Sequence, residues 1–185
     1  MDLILRRDGY RELTLEAIAN DVGCTRQALV RRFGSKHQLI LCFLETMVAR
    51  VTRLYEQETE TTGAPLEILH ARLTRPWAQR FITTTDYRAQ ANILTFILTI
   101  GHDPALASRI ATMNGIAMTS IESLLQAAIE RGELHGIDAS VTTHVLYTVW
   151  LGETINWCID PTIDLSARLD RALALILDPH RSPPT

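Results

Sequence analysis

The sequence predicts an all-α protein. Apolar residues recur at three- and four-residue spacing along nearly the whole chain. A Ser, Thr or Asp stands just before most of these runs, at Thr14, Thr25, Ser35, Asp86, Asp103 and Asp164. Gly or Pro ends them, and no strand pattern, repeat or low-complexity tract intervenes. A length of 185 residues suits one or two small domains with a sizeable core.

Met1 to Asp8 reads as a first helix of about two turns, with Leu3, Ile4 and Leu5 inward. Thr14 can cap a second helix, where Glu16 suits the dipole and Leu15, Ile18, Ala19 and Val22 face the core. Gly23 supplies the positive φ that ends it. Thr25 caps a short third helix, Arg26 to Arg32. Its Ala28 and Leu29 point in, and Arg26, Gln27, Val30 and Arg31 point out. Gly34 closes it, and Ser35 with Gln38 forms a capping-box pattern for a long helix from Lys36 to about Glu60. Its buried stripe is Leu39 or Ile40, Phe43, Leu44, Met47, Val51 and Leu54.

After a polar loop, Pro65 opens a helix with Leu66, Leu69, Leu73, Trp77 and Phe81 on one face, which Pro76 should kink. Asp86 caps Tyr87 to Gly101, with Ile93, Leu94, Phe96, Ile97 and Leu98 as its core. Asp103-Pro104 starts a helix to Arg131 striped by Leu106, Ile110, Met113, Ala117, Ile121, Leu124 and Ala128, with Gly115 inside it. Ser140 to Cys158 is apolar nearly all round, which requires burial on nearly all sides and suggests a partner chain. Asp164 caps a last helix with Leu165, Leu169, Leu173, Ile176 and Leu177.

Two short capped helices joined by a Gly-containing turn are the sequence form of a helix-turn-helix, whose second helix enters the major groove of DNA. Charge agrees with this. The net charge is only −3, but Thr25 to Arg53 holds six basic residues (Arg26, Arg31, Arg32, Lys36, Arg50, Arg53) against one acid, Glu45. From Leu54 onward there are 9 Arg and 15 Asp or Glu. A basic patch on a mildly acidic body is the footprint of a site-specific DNA binder.

The run Thr14, Ile18, Ala19, Gly23, Thr25, Leu29, Phe33, Ser35, Lys36 and Leu39, preceded by Gly9-Tyr10, closely resembles the N-terminal domain of the TetR family of bacterial transcriptional regulators. Ala128, Arg131, Gly132, Glu133 and Leu134 resemble that family's loop between its seventh and eighth helices. The resemblance implies a three-helix helix-turn-helix domain (residues 1–49) and a helical ligand-binding and dimerisation bundle (50–178); the residues beyond it (179–185) read as a disordered tail. It implies double-stranded DNA with a pseudo-palindromic operator as partner. Arg26 and Gln27 would reach base edges, Arg31 a base or phosphate, and Thr14, Thr25 and Lys36 phosphates at helix N-termini.

It further implies a homodimer built by the last two helices, with Trp150, Trp157, Leu169 and Leu173 as interface residues. An effector pocket would be lined by Trp77, Phe81, Phe96, Met113, Met118, His144, Tyr147 and Trp150, and few charges there point to a mostly apolar ligand. Repression is the family's usual mode. Two departures support an alternative, a TetR-like dimer with weakened DNA binding that acts through protein contacts. The first helix is short, and Val30 replaces a Tyr whose hydroxyl grips the backbone in the family.

No catalytic constellation, phosphate-binding loop or dinucleotide fingerprint is present, so neither an enzyme nor a cofactor is expected. Six His and three Cys show no metal-ligand spacing. Cys24, Cys42 and Cys158 fit a reducing cytoplasm as buried thiols. No signal peptide pattern precedes the first helix, and no apolar run approaches the ~20 residues of a membrane span.

Overall fold

The structure, a computed structural model, describes residues 1–59, 63–74 and 86–181. Nine α-helices lie among these residues: α1 (Asp2–Asp8), α2 (Leu15–Asp21), α3 (Arg26–Phe33), α4 (Lys36–Thr59), α5 (Pro65–Thr74), α6 (Tyr87–Ile100), α7 (Pro104–Glu130), α8 (Ala139–Ile159) and α9 (Leu165–Leu177). None of them is long and apolar enough to cross a membrane.

The helix starts follow from local chemistry. Thr14 Oγ1 accepts from Ala17 N–H (3.0 Å) and Thr25 Oγ1 from Ala28 N–H (3.1 Å). Ser35, Asp86, Asp138 and Asp164 accept in the same way from Gln38, Arg88, Val141 and Ala167. Each side chain thus satisfies a backbone donor that the helix leaves orphaned. Gly23 and Gly34 end α2 and α3 at φ +69° and +79°, where a β-carbon would be strained.

Two compact units emerge, Met1–Arg53 with Ala78–Asn114 and Leu54–Trp77 with Gly115–Thr185. In the first, α1 packs on α6. Asn92 Nδ2 on α6 donates to the Arg6 carbonyl (3.0 Å), and Tyr10 meets Phe96 at 5.6 Å between ring centroids. A helix of seven residues is unstable alone, so this packing is what keeps α1 folded. The same unit ties α4 to α7 through His37 Nε2–Asp103 Oδ2 and Arg109 Nη2–Glu45 Oε1, both 3.0 Å. The Asp103 carboxyl is held below its usual range by the backbone N–H of Leu106, then by His37 and the N–H of Ala105.

The second unit has its own core. Leu69 and Leu73 of α5, Ile121, Leu125 and Ala128 of α7, Leu146 of α8 and Leu173 and Leu177 of α9 converge with Leu134. Glu133 Oε2 accepts from Leu66 N–H (3.3 Å), and Arg131 Nη1 donates to the Gly63 carbonyl (3.2 Å). These contacts anchor the loop between α7 and α8.

Several expectations are corrected. Leu3, Val22 and Leu98 are exposed, because Ile4 with Leu5, Ile18 with Ala19, and Ile93 with Phe96 take the inward faces of their short helices. Cys42 is exposed rather than buried, while Cys24 and Cys158 are partly buried. The tail expected to be disordered from residue 179 begins with regular structure. Asp178–His180 forms a turn of 3-10 helix, and its His180 carbonyl accepts from His135 N–H (2.9 Å). The helix from Pro65 is described as far as Thr74; Pro76, Trp77, Phe81 and the turn at Thr83–Thr85 lie outside the described residues.

Candidate nucleic-acid interface and effector region

Helices α2 and α3 pack on each other through Ile18, Ala19 and Leu29, all buried. That leaves the opposite face of α3 toward solvent, with Ala28 and Phe33 partly buried. Arg26, Gln27 and Arg31 are exposed there, with Val30 between them. Both capping threonines spend an oxygen lone pair on their own helix and keep an O–H to donate, the geometry a phosphate oxygen needs. One short helix therefore presents a guanidinium, an amide and a second guanidinium within two turns, flanked by two helix N-termini.

Lys36, expected to meet phosphate at the start of α4, lies against an aromatic ring. Its Nζ lies 4.4 Å from the centroid of the Tyr10 ring, and burial lowers its pKa. The ring face supplies the attraction that lost solvent would have given. Sequence spacing alone could not find this contact, because 26 residues separate the partners. It also missed Glu16, whose Oε1 lies 2.7 Å from Arg26 Nε.

The residues expected to line an effector pocket divide between the units. Trp77 and Phe81 are outside the described residues. Phe96 and Met113 belong to the first unit, where they line an apolar void with Leu5, Phe43, Leu44, Met47 and Ile93. Its volume is about 30 Å³, room for a water. Met118, Tyr147 and Trp150 are partly buried in the second unit, with Tyr147 and Trp150 ring centroids 6.0 Å apart. His144 is exposed on α8, so it lines no interior pocket of a single chain.

The expectation of few charges inside also needs amending. Arg72 on α5 is only 4% exposed. Its guanidinium donates to Ser120 Oγ and stacks 5.0 Å from the Tyr55 ring centroid, and burial lowers its pKa. No group of three His, Cys, Asp or Glu suited to a metal occurs among the described residues.

The residues expected at the dimer interface differ in how much of them one chain leaves open. Leu169 and Leu173 are 4% and 5% exposed within one chain, so they have almost no surface to offer a partner. Trp150 and Trp157 are partly buried. The apolar surface left open on these helices is instead Val141, Val145, Ile155 and Ile159 of α8 and Leu175 of α9, the last 80% exposed. The α8 residues fall at three- and four-residue steps once Thr148 and Gly152 are included, which places them on one stripe.

Residues 4–41 match the family model described as bacterial regulatory proteins, tetR family. Three solved structures are similar over almost the whole chain. A TetR transcription regulator from Haloarcula marismortui is 19% identical, with 97% of this chain and 93% of that one covered and a TM-score of 0.79. The reduced form of NemR from E. coli is 16% identical, with 100% and 95% covered and a TM-score of 0.76. A putative transcriptional regulator from Saccharomonospora viridis in complex with choline is 16% identical, with 94% and 91% covered and a TM-score of 0.78. No curated protein sequence matches the chain. The all-α architecture is therefore that of TetR transcription regulators.

Proposed function

Because residues 4–41 match the family model of bacterial regulatory proteins, tetR family, we propose that this chain is a sequence-specific DNA-binding transcriptional regulator. It acts as a repressor that a small, mostly apolar effector releases from its operator. The observation that carries this reading is α3, a short capped helix with Arg26, Gln27 and Arg31 exposed, lying inside the matched segment. Arg pairs with guanine and Gln with adenine in the major groove, while the capping hydroxyls and helix N-termini hold phosphates.

A single reading head of this size contacts too few bases for tight binding. A homodimer on a pseudo-palindrome, with half-sites about 34–36 Å apart or a multiple of that, doubles the contact. The exposed α8 stripe and Leu175 are the surface such a dimer would cover. The effector site belongs to the C-terminal bundle (residues 50–178), and its ligand would shift the population between DNA-competent and released dimers.

The exposed Val30, which cannot donate a hydrogen bond, favours a second reading, a dimer that has lost specific DNA contact and works through protein partners. The Arg31→Ala variant separates the two. Operator binding should weaken by at least about tenfold, as loss of a base or phosphate contact requires. Wild-type affinity in that variant, read by fluorescence anisotropy, would remove α3 from the interface.

A further inference from the structure

On the DNA-reading role of α3, we propose that Glu16 is a specificity-determining positioning residue. It holds Arg26 end-on for guanine and suppresses binding to other sequences. Glu16 stands in the first turn of α2 and Arg26 is the first residue of α3. Glu16 Oε1 and Arg26 Nε are 2.7 Å apart, and both side chains are 61% exposed. The pair therefore lies on the solvent-facing surface that the duplex would occupy.

Two arguments fix the role of the carboxylate. The first is electrostatic. A cation at a helix N-terminus faces the positive end of the dipole, and α3 has no acid in its first turn. Glu16 supplies that missing negative charge from the neighbouring helix, while also sitting favourably at the N-terminus of its own.

The second argument is geometric. A guanidinium has one N–H at Nε and four at its two Nη atoms. With Glu16 Oε1 against the Nε edge of the guanidinium, the Nη1/Nη2 fork is what remains to face a base. That fork matches O6 and N7 of guanine in a bidentate contact. An exposed ion pair is weak, so it biases the side chain toward this orientation and lowers part of the rotamer entropy that binding would otherwise cost. Against a base without two acceptors in that position, the oriented fork cannot be satisfied. The carboxylate meanwhile repels phosphate wherever the register is wrong, which is discrimination by repulsion.

Full-length wild type, Glu16→Gln, Glu16→Asp, Arg26→Ala and the double variant Glu16→Gln/Arg26→Ala decide the matter. Each is titrated by fluorescence anisotropy against an operator duplex and its single-base variants. The position read by Arg26 is the one where Arg26→Ala erases the preference for guanine. At that position Glu16→Gln should lose about fivefold of the preference, the low end of what one bidentate pair is worth. Affinity for scrambled duplex should rise at the same time, a change that mere loss of fold would not produce. Glu16→Asp keeps the charge and should keep the weak binding to scrambled duplex. In the double variant Glu16→Gln should cost no further preference.

Preference unchanged in Glu16→Gln, or effects that add in the double variant, would overturn the role of Glu16 and leave the DNA reading intact. A wild type that binds every duplex alike would overturn both.

Discussion

Ile155→Glu is expected to turn the proposed dimer into a monomer. Ile155 lies on the open stripe of α8 with Val141, Val145 and Ile159, and Leu175 of α9 is open as well. In a two-fold interface each substitution counts twice. Only the 41% of Ile155 left open in one subunit is there to be covered, so losing it costs roughly 0.6–1.2 kcal/mol per subunit by area, and burying two carboxylates in its place adds several kcal/mol more. Together these weaken the dimer by roughly two orders of magnitude or more. The folded chain itself should be unaffected, because the position is exposed within one subunit. Light scattering at micromolar concentration reads the outcome, with Leu98→Glu on the exposed face of α6 as the control. A dimer that survives Ile155→Glu would place the interface elsewhere, and operator affinity should fall together with dimerisation.

Leu125→Ala should have the largest effect on stability. Leu125 has no exposed surface and sits on α7 at the centre of a core shared by α5, α8 and α9. Truncating a buried Leu costs about 2–5 kcal/mol, through lost transfer energy and the cavity that remains. For a chain of this size that lowers Tm by roughly 5–20 °C. Leu175→Ala, at an exposed position, is the comparison and should cost far less in the isolated chain. The two are compared at one protein concentration, because dimerisation couples to unfolding. A loss below about 1 kcal/mol for Leu125→Ala would mean that the four helices do not share this core.

What the sequence made legible was local. A cap and its helix start lie within three residues, so Thr14, Thr25, Ser35, Asp86 and Asp164 could be assigned their bonds from spacing alone. The exposed α3 residues followed from helical periodicity once Leu29 was known to face in. Periodicity does not say which neighbour an apolar face meets. Leu169 and Leu173 fill their own subunit's core, while the open apolar surface is on Val141, Val145, Ile155 and Ile159. Contacts across many residues were beyond reach for the same reason. Lys36 on Tyr10, Arg72 between Ser120 and Tyr55, and Glu16 against Arg26 depend on how helices pack, which no short motif encodes.

The central claim, that this chain reads a DNA sequence, is tested most directly by fluorescence anisotropy of the wild type. The duplexes are those flanking its own gene and scrambled ones of equal length, at about 50 and 200 mM salt. One flanking duplex should bind at least about a thousandfold tighter than scrambled DNA. Its affinity should fall by roughly three to five orders of magnitude between the two salts, as six to ten phosphate contacts require. Equal, weak binding to every duplex would contradict it.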